Sequence, residues 1–164
     1  MLWGEGWERI AGLDTGTKSK MSKITEHLSE EEYRCGGVHG NCCGNLPPDY
    51  DPDNMPEIYD YLFGCFEDIR EAWGKPLIVS SGYRCFKHNQ AVGGEPLSAH
   101  LFGVALDLAC KDKAEVKVLR DVVRKTCPYI RIGWKMYSDN LVHIDNAFSI
   151  MPRPTRNFAM GVEW

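Results

Sequence analysis

The sequence lacks the features that would attach the chain to a membrane or to a nucleic acid. No stretch of its 164 residues approaches the roughly 20 consecutive apolar residues that span a bilayer. Positive charge is not in excess either, because the net charge is −4 and the isoelectric point is about 5.7, and such a chain offers no electrostatic attraction to a polyanion. We therefore expect neither membrane insertion nor a nucleic-acid partner.

The N-terminal segment lacks the basic region and the apolar core of a secretory signal. Its residues, MLWGEGWERIAGLDTGTKSK, are polar and rich in glycine. We predict that residues 1–21 form an N-terminal tail, either disordered or added to the protein by cloning. Residues 22–164 are then expected to form a single domain, a length that can bury a core of its own.

No internal repeat interrupts the chain, and apolar spacing predicts its elements. Residues 56–74 and 113–126 place apolar side chains on one face of a helix. Ser29 and Glu32 predict a capping box at an earlier helix start. Segments with strand character follow at 77–81, 102–110, 129–134 and 141–148. Residues 82–98 read as a long loop. The order of the predicted helices and strands favours an α+β fold, with helices beside a small antiparallel sheet.

The seven cysteines are many for this length, and their number is odd. The segment CGGVHGNCC groups Cys35, His39, Cys42 and Cys43, a density typical of a small metal site or a local disulfide. Their spacing matches no zinc-finger pattern, and the absence of a C-x-x-C motif argues against a redox protein. A second metal ion, a disulfide and free thiols all remain open for this cluster.

The segment SAHLFGVALDLA places His100 and Asp107 in an otherwise apolar run. Burying a carboxylate costs free energy unless a protein group or a metal ion pairs with it. Positions seven apart do not share a strand face, so the two side chains converge only if the chain bends, which Gly103 allows. His143, in the segment LVHID, can then be a cross-strand neighbour of Asp107. Two imidazoles and a carboxylate are the ligand set of a hydrolytic zinc site, although each residue alone could have a purely structural role.

These segments resemble the zinc peptidases of the M15 group, which include D-Ala-D-Ala carboxypeptidases and phage L-alanyl-D-glutamate endopeptidases. The resemblance rests on their S-x-H-x-x-G-x-A-x-D motif, which begins here at Ser98 and ends at Asp107. A strand with His143 follows it, SGYRC and HNQAVGG precede it, and KITEHLSEEEYRC is similar to the start of compact members. The resemblance covers roughly residues 22–147 and implies the fold shared with the Hedgehog signalling domain.

By this resemblance His100, Asp107 and His143 are ligands of a zinc ion. Zinc lowers the pKa of a bound water to about 7 and so produces a nucleophile for a peptide carbonyl. Arg84 matches the family arginine near the metal, where its planar guanidinium suits a substrate carboxylate or a developing oxyanion. A structural ion pair is the alternative for Arg84. Ser98 is expected either to contact substrate or to cap the turn before His100.

The general base is where this sequence departs from the family pattern. Many members have a glutamate or an aspartate three residues before the last histidine ligand, but here that residue is Asn140. We predict Asp139, one residue earlier, as the base. Asp145 is the other candidate, because it shares a strand face with His143, and its alternative role is to orient that ligand.

The resemblance thus implies a peptidase that hydrolyses the stem peptides of peptidoglycan, either as a carboxypeptidase or as an endopeptidase of the endolysin type. The alternative is a non-catalytic binding module of the same fold that keeps zinc for structure. We expect a monomer that is made in the cytoplasm, that of the host cell if a phage encodes it, and that acts on the cell wall after release.

Overall fold

The computed structural model describes residues 22–37, 42–134, 140–150 and 160–163. The expected tail over residues 1–21, His39 and the predicted base Asp139 lie outside these ranges. None of the helices in the described ranges combines the length and the apolar character needed to cross a bilayer.

Four strands form one antiparallel sheet in the described part of the chain. They are β1 (Ile78–Ser81), β2 (Ala105–Ala109), β3 (Arg131–Gly133) and β4 (Leu141–Asp145). Their order in the sheet is β1-β2-β4-β3, so β2 and β4 are the central pair. Helices accompany the sheet, and the prediction of an α+β fold with a small antiparallel sheet is confirmed.

The two central strands have one apolar face. Four of their side chains are fully buried in the hydrophobic core: Leu106, Leu108, Val142 and Ile144. Burying a side chain of this size contributes about 1.5–3 kcal/mol. Because side chains alternate along a strand, this burial fixes the register and directs Asp107 and His143 to the opposite face.

Two long helices add further apolar side chains to this core. Helix α2 (Glu57–Trp73) ends at Gly74, whose φ of 70° is the left-handed conformation that glycine adopts most easily. Helix α4 (Lys113–Thr126) begins after Asp112, whose side chain accepts a hydrogen bond from the Glu115 amide. Their buried side chains repeat at helical spacing: Leu62, Phe66 and Ile69 in α2, and Val116, Leu119 and Val123 in α4. Both helices follow the sequence prediction.

Two shorter α-helices complete the set in the part of the chain that the structure describes. The capping box predicted at Ser29 and Glu32 is present and begins α1 (Glu30–Tyr33). Helix α3 (Phe86–Ala91) corrects the expectation of a continuous loop over residues 82–98. A helix of six residues is too short to show a helical repeat in sequence, and this explains the error.

The strand bounds also differ from the sequence prediction. Residue 102 belongs to a 3₁₀-helix (Ala99–Phe102) that precedes β2, so the predicted strand over 102–110 is too long. The expected strand over 141–148 ends at Asp145 and is followed by a second 3₁₀-helix (Ala147–Ser149). Both 3₁₀-helices are short and mostly apolar, and mostly apolar runs of this length do not distinguish a strand from a helical turn.

Candidate metal centre and active site

Asp107 and His143 lie side by side at the centre of the sheet. They are directly paired across β2 and β4, and the closest side-chain atoms, Asp107 Oδ1 and His143 Nδ1, are 2.8 Å apart. Both residues are buried, with 4% and 3% of their surface exposed. The cross-strand arrangement predicted from the sequence is therefore present.

His100 reaches this pair from the 3₁₀-helix before β2. That helix ends at Gly103, whose φ is 72°. A Cβ at this position would lie 2.6 Å from the Tyr33 hydroxyl and 2.6 Å from Pro47 Cγ, so both the conformation and the space require glycine. The Tyr33 hydroxyl also donates a hydrogen bond of 2.6 Å to the Gly103 carbonyl. The bend predicted at Gly103 is present and turns His100 towards Asp107.

The three side chains bring one ligand atom each to a common point. His100 Nε2 lies 3.2 Å from His143 Nδ1 and 3.1 Å from Asp107 Oδ1, and the third distance is 2.8 Å. Zinc bonds of 2.0–2.1 Å in a tetrahedron would separate the ligand atoms by about 3.3 Å. The spacing of this group, which could hold a metal ion, fits zinc.

The other ring nitrogen of each histidine has a protein partner. His100 Nδ1 is 2.6 Å from the carbonyl oxygen of Gly82, and His143 Nε2 is 2.9 Å from Asp145 Oδ2. A carbonyl and a carboxylate only accept hydrogen bonds, so each of these nitrogens carries the proton. Histidines that bind metals are oriented by partners of this kind.

The cluster perturbs the pKa of each of its members. Burial lowers the pKa of His143, but hydrogen bonds to Asp107 and Asp145 outweigh that effect and raise it to about 9. Burial lowers the pKa of His100, in spite of the nearby Asp107 carboxylate. Burial raises the pKa of Asp107, but the two imidazoles overcome this and hold it well below its ordinary value. Asp107 is therefore ionised and His100 neutral at neutral pH.

Arg84 contacts the remaining oxygen of Asp107. Its Nη2 donates to Asp107 Oδ2, and its Nε donates to the Ser81 hydroxyl over 2.9 Å. The Arg84 amide also donates to the His100 carbonyl over 3.0 Å. Arg84 therefore forms the structural ion pair that was the alternative to a contact with substrate. Asp107 Oδ1 is left facing the two histidines. A contact of Arg84 with substrate stays a prediction.

Ser98 immediately precedes the 3₁₀-helix that carries His100. Ser98 is the N-cap residue of that helix, but its side chain makes no capping hydrogen bond within the described residues. The backbone of Ser98 instead bridges the turn, accepting from Leu101 and donating to Glu95. Its proposed contact with substrate stays a prediction.

Asp145 lies behind His143, on the side of the ring away from Asp107. Its Oδ2 contacts His143 Nε2, and its Oδ1 accepts from the Ala147 amide over 2.9 Å. Arg131 Nη1 is 3.3 Å from the same Oδ1, and only 1% of Asp145 is exposed. This position favours the role of orienting His143 over the role of general base. Asp139, the other candidate base, lies outside the described residues.

Sequence reasoning missed three contributors to this part of the molecule. The Gly82 carbonyl holds His100, but a backbone acceptor has no sequence signal. Arg131 supports Asp145, and the signal was a charged residue inside the apolar segment YIRIGW. Cys85 lies with the cysteines of the 35–43 segment in a second group that could hold a metal ion. Only the unusual number of cysteines pointed to it.

Comparison with known proteins identifies the family of this chain. Residues 43–145 match the family described as Peptidase M15, and this range contains the three clustered residues as well as Arg84 and Ser98. No curated protein matches the chain. The match spans more than half of the sequence and includes the only group of described histidines and carboxylates that could hold a metal ion. The chain therefore belongs to the peptidase M15 family, a family of generally metal-dependent peptidases.

Proposed function

We propose that this protein is a zinc-dependent peptidase that hydrolyses the stem peptides of peptidoglycan, as a D-Ala-D-Ala carboxypeptidase or as an endopeptidase. Membership of the peptidase M15 family supports the reaction class. The substrate class rests on the resemblance of the Ser98–Asp107 motif and the His143 strand to peptidases that act on cell walls.

One observation carries the metal-dependent part of the proposal. Gly82 and Asp145 hold the protons of His100 Nδ1 and His143 Nε2. In the neutral imidazoles, the two remaining nitrogens then direct lone pairs at each other and at Asp107 Oδ1, within 3.2 Å. Three bare acceptors at this distance would repel one another, and without a metal the proton that the raised pKa of His143 keeps on Nδ1 lies between them. A divalent cation satisfies all three at once.

Zinc bound by two histidines and one carboxylate acidifies a water and polarises a carbonyl in its open coordination position. The protein's own residues prepare the site for this chemistry. Asp107 supplies negative charge in a buried position, and Arg84 positions it by binding its outer oxygen. Asp145 and the Gly82 carbonyl fix the two ring orientations. Arg84 would also be the residue that recognises a substrate carboxylate.

We propose Asp139 as the general base. Asp145 is engaged by His143, Ala147 and Arg131, whereas a base must reach the nucleophilic water from the open side of the site. Asp139 precedes Asn140, whose carbonyl accepts from the Cys110 amide over 2.7 Å just before β4 begins. In sequence, Asp139 is four positions before His143.

A non-catalytic zinc module is the second candidate function. Asp107 is the only carboxylate in the described cluster of possible metal ligands, and Asn140 occupies the position where many family members have the base. A chain without any base near the metal would bind zinc and substrate but would hydrolyse slowly. The two candidates therefore differ in turnover and agree in zinc content.

The deciding experiment measures peptidoglycan clearing and released muropeptides. We expect clearing by the zinc-loaded full chain, loss of clearing with chelator, and recovery when zinc is restored. His143→Ala should abolish clearing and remove one zinc ion per chain. The control His27→Ala, which removes an imidazole that pairs with Glu67 at the surface, should retain both. Clearing that survives chelation would refute the zinc mechanism, and folded, zinc-loaded protein without hydrolysis on any peptidoglycan would favour the binding module.

A further inference from the structure

A second group of possible metal ligands consists of four cysteines near the end of α1 and the start of α3. Cys35 follows α1, Cys42 and Cys43 are adjacent in the chain, and Cys85 immediately precedes α3. Their four sulfur atoms lie within 4.8 Å of one another. We call these four residues the cysteine cluster. All of them are free thiols in the structure.

The spacing of the sulfur atoms fits a shared metal ion. Zinc–sulfur bonds of about 2.3 Å in a tetrahedron separate neighbouring sulfurs by about 3.8 Å. Cys42 Sγ and Cys85 Sγ are 3.5 Å apart, whereas a disulfide bond is about 2.05 Å long. A disulfide would also use only two of the four thiols and leave the other two unexplained.

Hydrogen-bond donors already point at two of the sulfurs. The amide of Cys85 donates to Cys35 Sγ over 3.2 Å, and the amide of His88 donates to Cys85 Sγ over 3.4 Å. His88 Nδ1 is 3.4 Å from Cys35 Sγ. Donors of this kind stabilise sulfur in the thiolate form and orient it, as the partners of metal ligands do.

The backbone holds the two ends of the cysteine-rich segment together without help from a metal. The Cys35 amide donates to the Asn45 carbonyl over 2.8 Å, and the Gly44 amide donates to the Cys35 carbonyl over 3.1 Å. Gly44 has a φ of 70°, which a residue with a side chain rarely adopts. The turn after Cys43 therefore brings Cys42 and Cys43 back beside Cys35.

We propose that Cys35, Cys42, Cys43 and Cys85 bind a structural zinc ion that is separate from the ion of the peptidase site. Four thiolates complete the tetrahedron and leave no position for water or substrate, so the ion stabilises the fold and takes no part in hydrolysis. Each thiol gives its proton to solvent when it binds.

The position of the cysteine cluster gives this ion a defined mechanical role. Cys85 follows Arg84, whose amide donates to the His100 carbonyl, and the Gly82 carbonyl holds His100 Nδ1. The Tyr83 amide donates to the Tyr33 carbonyl over 2.7 Å. A zinc ion that joins Cys35 to Cys85 would therefore fasten the end of α1 to the backbone that orients His100.

Metal counting on the full chain tests the proposal. The protein is purified under reducing conditions with zinc, and zinc per chain is measured by emission spectrometry. We expect two ions in the wild type, one in Cys42→Ser and one in His143→Ala. The control Cys110→Ser removes a buried cysteine outside the cluster and should retain two. If the peptidase site binds no zinc and the cysteine cluster does, the count is one in the wild type and zero in Cys42→Ser. Failures of the two proposals are therefore distinguishable.

Cobalt substitution gives a second measurement that does not depend on the folding of a cysteine variant. Thiolate ligands give cobalt intense charge-transfer absorption in the near ultraviolet, which histidine and carboxylate ligands do not. This absorption should appear in the wild type and in His143→Ala. The proposal would be overturned if this absorption were absent from the wild type or if Cys42→Ser retained all of its zinc. It would also be overturned if the native protein contained iron in place of zinc or a Cys42–Cys85 disulfide.

Discussion

Replacing Asp145 with asparagine should weaken zinc binding at the peptidase site through a change in the tautomer of His143. Oδ1 of Asp145 accepts a hydrogen bond from the Ala147 amide at 2.9 Å and forms an ion pair with Arg131 Nη1 at 3.3 Å. An asparagine would keep its carbonyl oxygen there and turn its NH₂ group towards His143 Nε2. Two donors would then face each other over 2.9 Å.

The imidazole relieves this conflict by losing the proton on Nε2 and keeping the one on Nδ1. That proton would occupy the space between His100 and Asp107, where the metal binds. Loss of a hydrogen-bonded partner behind a metal ligand typically lowers metal affinity by about 10–100-fold. This corresponds to about 1.4–2.7 kcal/mol of binding free energy.

The assay measures the zinc content of the protein at buffered concentrations of free zinc. The peptidase-site ion is identified as the one that is absent from His143→Ala. Asp112→Asn is the matched control, because this N-cap residue accepts from the Glu115 amide and asparagine caps helices equally well. An unchanged zinc affinity in Asp145→Asn would refute the tautomer argument. Loss of turnover at full zinc occupancy would instead identify Asp145 as the general base.

Three further predictions concern the same site. Asp139→Asn should keep its zinc and lose turnover by about 10²–10⁴-fold, and wild-type steady-state rates would exclude Asp139 as the base. Gly82→Ala should destabilise the protein by about 1–3 kcal/mol, because the new Cβ would lie 2.5 Å from the Tyr33 carbonyl oxygen; calorimetry that shows an unchanged melting temperature would contradict this. The carboxylates beside His143 outweigh its burial and raise its pKa to about 9. Zinc must therefore displace a proton, and its affinity, measured by chelator competition, should rise about tenfold per pH unit between about pH 6 and 8. A zinc affinity that does not change with pH would contradict the raised pKa of His143.

Much of the site could be predicted because its residues leave local signals. An aspartate in an apolar segment requires a partner, and Gly103 marked the bend that brings His100 to Asp107. The strand character of LVHID was sufficient to place His143 opposite Asp107. Periodicity over many residues likewise predicted α2 and α4.

The remainder depends on contacts between distant parts of the chain. The Gly82 carbonyl that orients His100 is a backbone group 18 positions away, and Cys85 meets Cys35 across 50 positions. Neither distance leaves a periodic pattern. Helix α3 was missed for a different reason, because its six residues are fewer than two helical turns.

The strand order of the sheet determines when the peptidase site can form during synthesis. β4 is the last strand of the described chain, yet it lies between β2 and β3. Until residue 143 has left the ribosome and β4 has paired with β2, the nascent polypeptide contains only two of the clustered side chains. A nascent chain that ends before β4 therefore cannot assemble this centre.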